Sequence, residues 1–371
     1  MGNDLVVVGA GILGLSCALA AARRNLNVLV IERHGRALGA SVRNFGLITV
    51  TGQDPQRVWP LALRTRDVWV EVAAKAAIPL LQRGVWIPAQ RPESAAVLEA
   101  FMRTDTAQGC ELLTAAAARS KCPQLQTRNL QAALWSPHDL RVESREAIPA
   151  LADWLSRAHG VKFLWETEVR AIDTPIIQTS HGPVSATAVV VCPGDELETL
   201  YPEHMRAARV SRCTLRMMRL DSPGFTLPGT LMSDQSMIRY GGFAELPEAA
   251  ALRQRLQSEQ PEYLQNGIHL LIAQSADGSL VVGDSHHYDP APRMFADERI
   301  YELLGDEYCA VTGQQPPPVR ERWTGTYAVA DGGPTLIESP SPQVRLVMVT
   351  SGIGASTGFA VGEQVIAELF D

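Results

Sequence analysis

Three glycines and one acidic residue near the start of the chain have the spacing of a nucleotide site. Gly9, Gly11 and Gly14 form the pattern G-x-G-x-x-G, and Glu32 follows about 20 residues later. The first glycine permits a tight turn, the second lets a pyrophosphate approach the backbone, and the third lets a helix pack on a strand. Glu32 can accept hydrogen bonds from ribose hydroxyls. This spacing predicts a dinucleotide site and does not separate FAD from NAD.

The elements that such a site needs surround these residues. Leu5 to Val8 is an apolar run typical of a strand buried on both faces, and Leu13 to Arg24 is the predicted helix. The positive end of this helix would point at the phosphates. Val28 to Ile31 is the second predicted strand, and it leads into the acid. The cofactor contacts predicted here are Gly9, Gly11, Ile12, Gly14, Glu32 and Arg33.

A second turn of small residues lies near the end of the chain. Leu346 to Val349 predicts a buried strand, Thr350 to Gly358 is the turn, and an apolar helix follows. The free N–H groups of such a turn form an electropositive cap, which can stabilise negative charge on a reduced flavin ring. NAD enzymes have no general need of it, so the tail favours FAD. The contacts predicted here are Gly352, Gly354, Ala355 and Ser356.

The loop from Arg33 to Thr49 leaves the second strand at the edge of the sheet where cofactors lie. Ser41, Arg43 and Asn44 are therefore candidates for contacts to the flavin or the pyrophosphate, and a solvated loop is the alternative. Two residues of a later, strand-rich stretch complete the predicted cofactor contacts: Val169 and Gly194.

Length and composition restrict the class of protein. At 371 residues the chain exceeds one hydrophobic core, and its net charge of −7 argues against a nucleic-acid or anionic-membrane surface. The six cysteines form no C-x-x-C pair, so we expect reduced thiols, no disulfide framework and no metal site. The start of the chain lacks a basic signal region and an apolar span. A cytoplasmic protein without a membrane span is expected.

The order of the elements predicts an α/β fold. A Rossmann-like FAD-binding domain would carry an inserted substrate domain with a mixed, largely antiparallel sheet (α+β). The predicted FAD-binding domain comprises residues 1–50, 140–208 and 325–371, and the substrate domain comprises residues 51–139 and 209–324. The strands predicted for the substrate domain are Arg209 to Leu220, Met237 to Phe243, Ile268 to Gln274 and Ser279 to Gly283.

These motifs together resemble the D-amino-acid oxidase superfamily of FAD-dependent amine oxidoreductases, which includes glycine oxidase and sarcosine oxidase. The similar segments are GAGILG at 9–14 with Glu32, GASVRNFG at 39–46, VVVCPG at 189–194, ERWTGTY at 321–327 and SGIGAS at 351–356. Within this group the chain is most similar to a clade associated with aminophosphonate breakdown. The segments that carry this finer resemblance are GASVRNFG, RVESREAIPAL at 141–151, CTLRMMR at 213–219 and QSADGSLVVGDSHHY at 274–288.

The chain departs from the family in three places. Amino-acid oxidases of this group carry an Arg after the Gly of a W-x-G segment to bind the substrate carboxylate. Here Trp323 to Tyr327 reads WTGTY, which disfavours a plain α-amino acid as substrate. No Cys of this segment could attach the flavin, so non-covalent FAD is expected. None of the three lysines matches the lysine that promotes reaction with oxygen, so oxidase and dehydrogenase activity both stay open, with oxidase favoured.

The resemblance implies hydride transfer from the carbon next to an amine to flavin N5, followed by hydrolysis of the imine. Arg216, Arg219 and Arg239 lie on predicted strands and could bind a dianionic phosphonate, unless they face solvent. His286 and His287 follow another predicted strand, and an acid, base or anion-binding role competes with a structural one. The catalytic candidates are His286, Tyr327 and Trp323, and the substrate-binding candidates are Arg216, Arg219, Arg239, Tyr240 and His287.

The sequence thus predicts FAD-dependent oxidation of a small amine with an anionic head group, an aminophosphonate above all. Its partners would be the amine and either molecular oxygen or another electron acceptor. A glycine, sarcosine or D-amino-acid oxidase is the alternative within enzymes. A flavin- or NAD-binding subunit without catalysis is the alternative from another class.

Overall fold

The structure, a computed structural model, describes residues 2–291 and 295–371. Its strands form two sheets, one with parallel strands at the centre and one with mostly antiparallel pairs. The chain crosses between the two sheets several times, so each sheet is built from separate stretches of sequence. The architecture is a mixed α/β fold, which confirms the predicted fold class.

The first sheet carries the glycine turn at its centre. Its neighbour order is β17 (Thr335–Ser341), β18 (Val344–Val349), β10 (Gly182–Val191), β1 (Asn3–Val8), β2 (Val28–Ile31) and β7 (Lys162–Leu164), with β8 (Val169–Asp173) and β9 (Ile176–Thr179) extending β10. β1 runs parallel to both of its neighbours, and Val7 lies opposite Val30 on one side and Val190 on the other. These strands therefore end at one edge of the sheet, where the turn begins.

The second sheet is larger. Its order is β15 (His287–Tyr288), β11 (Ser211–Leu220), β14 (Leu280–Gly283), β13 (Leu271–Gln274), β12 (Thr230–Met232), β4 (Gln82–Ala89), β6 (Ala132–Arg141) and β3 (Leu47–Ile48), with β16 (Val319–Val329) on β11 and β5 (Glu111–Thr114) on β6. The pair of β12 with β4 is parallel, and β11 pairs antiparallel with three strands.

Helices cover both sheets. In chain order they are α1 (Ile12–Ala22), α2 (Trp59–Lys75), α3 (Pro92–Phe101), α4 (Ala115–Lys121), α5 (Ser144–His159), α6 (Pro202–Ala207), α7 (Gly241–Ala244), α8 (Ala249–Glu259), α9 (Pro261–Gln265), α10 (Glu298–Thr312) and α11 (Gly354–Phe370). Short 3-10 helices span Ala40–Val42, Asp105–Ala107 and Asp234–Ile238. Within the described ranges, no helix combines the length and the apolar character that crossing a bilayer requires.

The central strands of the first sheet are apolar along their whole length because both faces are covered. Successive side chains of a strand point to opposite faces. Val7 and Val30 accordingly pack in one core with α1, α5 and α11, whereas Val6 and Leu29 pack in a second core on the other face. This double burial is what the predicted apolar runs require.

The last helix is held beside the first. α11 packs on α1 within one core, and Phe359 of α11 meets Trp69 of α2 edge to face, with ring centroids 5.1 Å apart. The indole N–H of Trp69 also donates to the carbonyl of Ala355 at 2.8 Å. The start of α11 is thereby placed next to the glycine turn, although the two are separated by most of the sequence.

One predicted strand is wrong. Met237 to Phe243 is not a strand, because the chain there forms the end of the 3-10 helix Asp234–Ile238 and then α7. The backbone N–H groups of Arg239 and Tyr240 both donate to the carbonyl of Ser236, at 3.1 and 3.0 Å. These local bonds use donors that a strand would give to a neighbour, so Arg239 projects from a turn and not from the sheet.

The predicted domain division differs in detail from the strand pairing. β3 lies before residue 51 and β16 extends beyond residue 324, yet both pair within the second sheet. The strands predicted from the sequence do not include β6 and β16, although these are among the longest strands of that sheet. The division into two domains stays a prediction.

Candidate active site

The glycine turn after β1 is held by side chains from two other segments. The N–H of Ala10 donates to Oε2 of Glu32 at 2.9 Å, and the N–H of Ile12 donates to Oγ of Ser41 at 2.9 Å. Gly9 has φ +103°, and a Cβ at this position would lie 2.5 Å from the carbonyl oxygen of Cys192. A glycine is therefore required here both by the backbone conformation and by the close approach of the loop after β10.

A cavity opens on this turn, and we name it the acid-end cavity after Glu32 on its wall. It lies between the end of β2, the loop that follows and the loop after β10. Glu32 is 9% exposed, and its carboxylate already accepts from Ala10 and from the N–H of His34 at 3.1 Å. The predicted cofactor contacts on this wall are Gly9, Gly11, Glu32, Arg33, Ser41, Arg43, Val169 and Gly194.

A second cavity, the histidine-end cavity, continues from the first. The two share Gly11, Ala40, Ser41, Arg43, Cys192, Gly194 and Thr326 on their walls. The second runs from the glycine turn to the start of α11 and then under the second sheet. The predicted cofactor contacts on its wall are Gly11, Ile12, Gly14, Ser41, Arg43, Asn44, Gly194, Gly352, Gly354, Ala355 and Ser356.

The start of α11 presents free backbone donors to this cavity. Within the described ranges the N–H groups of Gly354 and Ala355 have no acceptor, and both residues line the cavity. Gly352 has φ +75°, and a Cβ there would lie 2.8 Å from the ring of Tyr327. A helix N-terminus of this kind attracts negative charge. The geometry fits the electropositive cap that the sequence predicts.

The loop between the two cavities is held in place by its own amide side chain. Asn44 donates from Nδ2 to the carbonyl of Ala40 at 2.8 Å, and its Oδ1 accepts from the N–H of Gly46 and the hydroxyl of Ser144, each at 2.7 Å. The Asn44 side chain therefore forms its hydrogen bonds within the protein, where they fix the conformation of the loop. Trp323 supports the loop from outside, since its indole N–H donates to the carbonyl of Arg43 at 3.0 Å.

The joined cavities fit a dinucleotide. They connect an acid at one end with a helix N-terminus at the other, past a turn whose glycines let a ligand approach the backbone. The adenosine half would be held by Gly9, Gly11 and Glu32, and the ring would be held near the start of α11. The role of each residue in binding the dinucleotide stays a prediction.

A polar cluster lies on the wall of the histidine-end cavity that the second sheet provides. It consists of Arg239, Tyr240, His269, Asp284, His286 and Tyr327. The rings of His269 and His286 are stacked, with centroids 5.1 Å apart and planes 22° apart. Nε2 of His269 lies 3.4 Å from Oδ1 of Asp284, and Nδ1 of His286 lies 3.7 Å from the same oxygen. Four separate stretches of the chain meet in this cluster.

Burial controls the charges of the cluster. It raises the pKa of Asp284 to about 7, and the positive charge of Arg239 opposes this rise. Burial, with a further contribution from Arg239, lowers the pKa of His269 and of His286 well below the usual range. Both imidazoles are therefore neutral at neutral pH, and Arg239 is the cation of the cluster.

Three residues of the cluster carry the kinds of side chain that bind cations. Ligand-type atoms of His269, Asp284 and His286 lie within 4.8 Å of one another. However, Nδ1 of His286 already donates to the carbonyl of Gly267 at 2.9 Å, and burial favours the neutral form of Asp284 by raising its pKa to about 7. The geometry therefore favours a hydrogen-bonding group that faces a ligand.

A surface groove reaches the histidine-end cavity at Arg239, Tyr240 and Tyr327, which line both spaces. The groove is also lined by Tyr288 and by the loop between β16 and β17. A small ligand could enter from solvent by this route and meet the polar cluster first.

The other predicted substrate and catalytic residues lie outside the lining of this cavity. Arg219 is bound to Glu143, Ser275 and Ser279, at 3.3, 3.2 and 3.1 Å, within a buried polar network. Arg216 is 3% exposed and donates to the hydroxyl of Thr324 and to the carbonyl of Phe295.

His287 and Trp323 are also displaced from the cavity wall. His287 sits on the short strand β15, opposite Thr214. Trp323 carries the guanidinium of Arg145 over its ring at 4.8 Å, on the far side of the loop that it supports. Of the eight substrate and catalytic candidates, the structure brings together Arg239, Tyr240, His286 and Tyr327.

Sequence reasoning missed His269 and Asp284. His269 stands alone in the apolar run before β13, where a histidine resembles a core residue. Asp284 follows directly after β14, two positions before the histidine that the sequence did single out. The position of Asp284 at the end of a predicted strand could therefore have identified it as a candidate, whereas no feature of the neighbouring sequence distinguishes His269.

Comparison with known proteins identifies the family and the fold of the chain. The family DAO, described as FAD dependent oxidoreductase, matches residues 4–369. No curated protein sequence matches the chain. Among solved structures, glycine oxidase from Bacillus cereus ATCC 14579 is similar at 16% identity with a TM-score of 0.77, over 99% of this chain and 94% of that one.

Two further structures show the same likeness. L-proline dehydrogenase from P. horikoshii has 17% identity and a TM-score of 0.78, over 100% of this chain and 93% of that one. L-alpha-glycerophosphate oxidase from Mycoplasma pneumoniae, solved with FAD bound, has 13% identity and a TM-score of 0.75, over 100% of this chain and 95% of that one. At these identities the likeness concerns the fold.

Proposed function

The chain belongs to the DAO family of FAD-dependent oxidoreductases, and from this premise we propose that it oxidises a small amine that carries an anionic head group. The proposed substrate class is an aminophosphonate, such as 2-aminoethylphosphonate or its N-methyl derivative. FAD, when bound, supplies the hydride acceptor, and the imine product is hydrolysed by water. Non-covalent binding of FAD and oxygen as the electron acceptor belong to the same proposal.

The observation that carries the proposal is the state of Arg239. Its guanidinium lines the histidine-end cavity and donates to the hydroxyl of Tyr288 at 3.2 Å. In the described part of the chain no carboxylate forms an ion pair with it. The Arg239 side chain is half-buried and forms no ion pair within the described ranges, so it can bind an anion in the cavity, and its planar fork matches the oxygens of a phosphonate or a carboxylate.

Two features favour a phosphonate over the carboxylate of an α-amino acid. On β16 the residue after Gly325 is Thr326, so this strand offers no arginine to the cavity. The four sequence segments of the finer resemblance, described above, point in the same direction. The rival within enzymes is oxidation of glycine, sarcosine or a D-amino acid, with Arg239 binding the carboxylate.

An anaerobic substrate panel tests the proposal. The FAD-loaded protein is mixed with 2-aminoethylphosphonate, N-methyl-2-aminoethylphosphonate, glycine, sarcosine and D-alanine, and loss of the visible flavin absorbance is followed. We expect the aminophosphonates to bleach the flavin faster than the carboxylated amines. Equal or faster bleaching by a carboxylated amine would contradict the phosphonate assignment. Readmission of air then separates oxidase from dehydrogenase by the rate of reoxidation.

The panel also addresses the alternative from another class. A flavin-binding subunit without catalysis predicts a flavin spectrum that no amine bleaches, together with tight FAD binding. In that outcome the proposed activity fails while the cofactor assignment stands.

Arg239→Met is the matching variant. Loss of a charge-assisted fork in a half-buried site should raise the KM for the anionic amine by about 30-fold, with a smaller effect on kcat. Arg206→Met, an exposed arginine on α6, is the control and should leave both constants unchanged. An unchanged KM in Arg239→Met would show that the anionic group is bound elsewhere.

A further inference from the structure

The carboxylate of Asp284 is the group of the cluster that the proposed function has not used. Asp284 is 4% exposed, and it lines the histidine-end cavity. Its Oδ1 is buried and accepts no hydrogen bond in the described ranges. A buried carboxylate oxygen that faces a ligand space and lacks a donor is an acceptor that a ligand can satisfy.

The neighbouring histidines do not supply the missing donor. Nδ1 of His286 donates to the carbonyl of Gly267 at 2.9 Å and lies 3.7 Å from Asp284 Oδ1. Nε2 of His269 lies 3.4 Å from Oδ1 without the alignment of a hydrogen bond, and its Nδ1 lies 3.2 Å from the hydroxyl of Ser236. Since both rings are neutral, neither histidine supplies a positive charge to Asp284.

The cluster therefore presents one cation and one anion to the same cavity. Arg239 provides the positive charge and Asp284 the negative charge, and each influences the other, since the charge of Arg239 opposes the rise in the Asp284 pKa. A ligand with an anion at one end and an ammonium at the other would satisfy both. An amine with an anionic head group is such a zwitterion.

Resting on the proposed function, we propose that Asp284 binds the ammonium group of the substrate and then accepts a proton from it, while Arg239 binds the anionic head. In this step one N–H bond of the ammonium breaks and an O–H bond forms on the carboxylate. The electron pair of the broken bond stays on nitrogen as the lone pair, so the amine becomes neutral and Asp284 becomes a neutral carboxylic acid. An amine must be neutral before it can release hydride from the adjacent carbon.

The test compares two ligands of similar shape by calorimetry. 2-Aminoethylphosphonate carries the ammonium, and ethylphosphonate lacks it. Both are titrated into the FAD holoenzyme after anaerobic reduction, so that the amine is not consumed. In Asp284→Asn the affinity for 2-aminoethylphosphonate should fall at least tenfold, whereas the affinity for ethylphosphonate should stay equal or rise. Asp284→Glu should recover part of the loss, and Asp306→Asn, an exposed aspartate on α10, should change neither affinity.

The outcomes separate this inference from the proposed function. Equal weakening of both ligands in Asp284→Asn, or no weakening of either, would overturn the role of Asp284. If neither phosphonate binds the unaltered protein, the phosphonate assignment fails. In that case the affinities of the unaltered protein and of Asp284→Asn are compared for glycine, which carries the ammonium, and for acetate, which lacks it. If glycine does not bind the unaltered protein either, the role of Asp284 is also overturned.

A measurement on the unaltered protein covers the case in which the variant does not fold. Between about pH 6 and pH 7 the free carboxyl is partly protonated, because its pKa is raised to about 7 by burial. Binding of an ammonium favours the ionised form and releases a proton. In buffers of different ionisation enthalpy, 2-aminoethylphosphonate should release more protons than ethylphosphonate, once the protons that each phosphonate group itself loses on binding, followed by its phosphorus NMR shift, are subtracted. Equal release by both ligands would overturn the inference.

Discussion

At the scale of single residues, the candidate site depends on one half-buried and one buried charged group. Arg239 and Asp284 lie on one cavity wall, and the two histidines beside Asp284 are neutral because burial lowers the pKa of each. In water these groups would discriminate weakly between ligands. In a buried cavity the cost of leaving either charge without a partner is larger, which makes the site selective for a ligand that supplies both.

The raised pKa of Asp284 predicts a pH dependence of amine binding. Only the ionised carboxylate attracts an ammonium, so the affinity should rise by up to about tenfold per pH unit below a pKa of about 7 and level off above it. The charged or titratable groups around Asp284 are Arg239, Tyr240, His269, His286 and Cys213.

None of these neighbours should titrate in that window. The pKa of each histidine is lowered, the pKa of Tyr240 and that of Cys213 are raised, and the arginine stays charged. Calorimetric titrations with 2-aminoethylphosphonate between about pH 5.5 and pH 8.5 measure the profile. The phosphonate of the ligand also ionises in this range, so the slope in Asp284→Asn should fall to the part that the ligand contributes, and an undiminished slope would assign it to another group.

At the scale of elements, the site depends on turns that precede helices. The glycine turn before α1 and the small-residue turn before α11 each place backbone N–H groups beside the joined cavities. Packing of α11 on α1 brings the two turns together. The position of Gly352 against the ring of Tyr327 then couples the second turn to β16 of the other sheet.

Gly352→Ala tests this coupling. The substitution forces an L-residue into φ +75° and places a Cβ 2.8 Å from the Tyr327 ring. Gly160→Ala is a matched control, because Gly160 has φ +68° and open space around it. The backbone strain of about 1–2 kcal/mol is common to both variants. We expect Gly352→Ala alone to weaken FAD binding, measured as the dissociation constant of FAD for the apoprotein. Equal dissociation constants in the two variants would show that the Tyr327 ring shifts to accommodate the added Cβ.

At the scale of the whole molecule, stability depends on buried acids outside the site. Glu307 on α10 is 1% exposed, and its Oε2 accepts from Gln260 at 3.1 Å. Burial first, and then the negative charge of Asp234, raise the pKa of Glu307 to about 7 from 4.5. The folded state thus holds this proton more tightly than the unfolded state. Its stabilising effect is complete below about pH 4.5 and is lost as the pH rises to about 7.

Glu307→Gln should therefore stabilise the protein at pH 8 and flatten the pH dependence of stability. The gain at pH 8 relative to pH 4.5 should be on the order of 3 kcal/mol, from a pKa difference of about 2.5 units. Thermal midpoints of the holoprotein across this pH range measure the change. Glu302→Gln, an exposed glutamate on the same helix, should leave the profile unchanged. If the pH dependence of the thermal midpoint is unchanged in Glu307→Gln, a group other than Glu307 binds the proton that stabilises the folded state.

The sequence by itself determined the cofactor half of this protein. The glycines of the first turn, Glu32 and the turn before α11 are recognisable because each belongs to a contiguous strand–turn–helix unit. The spacing within such a unit is a consequence of local backbone geometry, which a single stretch of sequence records. The family match over residues 4–369 confirms FAD as the cofactor.

The substrate half was decided by the tertiary structure. Arg239, His269 and Asp284 come from separate stretches and meet only because β13 and β14 pair beside the turn that carries the arginine. Sequence pattern could not tell Arg239 from Arg216 and Arg219, since all three are arginines in apolar surroundings. What distinguishes them is which charges lie within reach after folding, and long-range packing alone determines that.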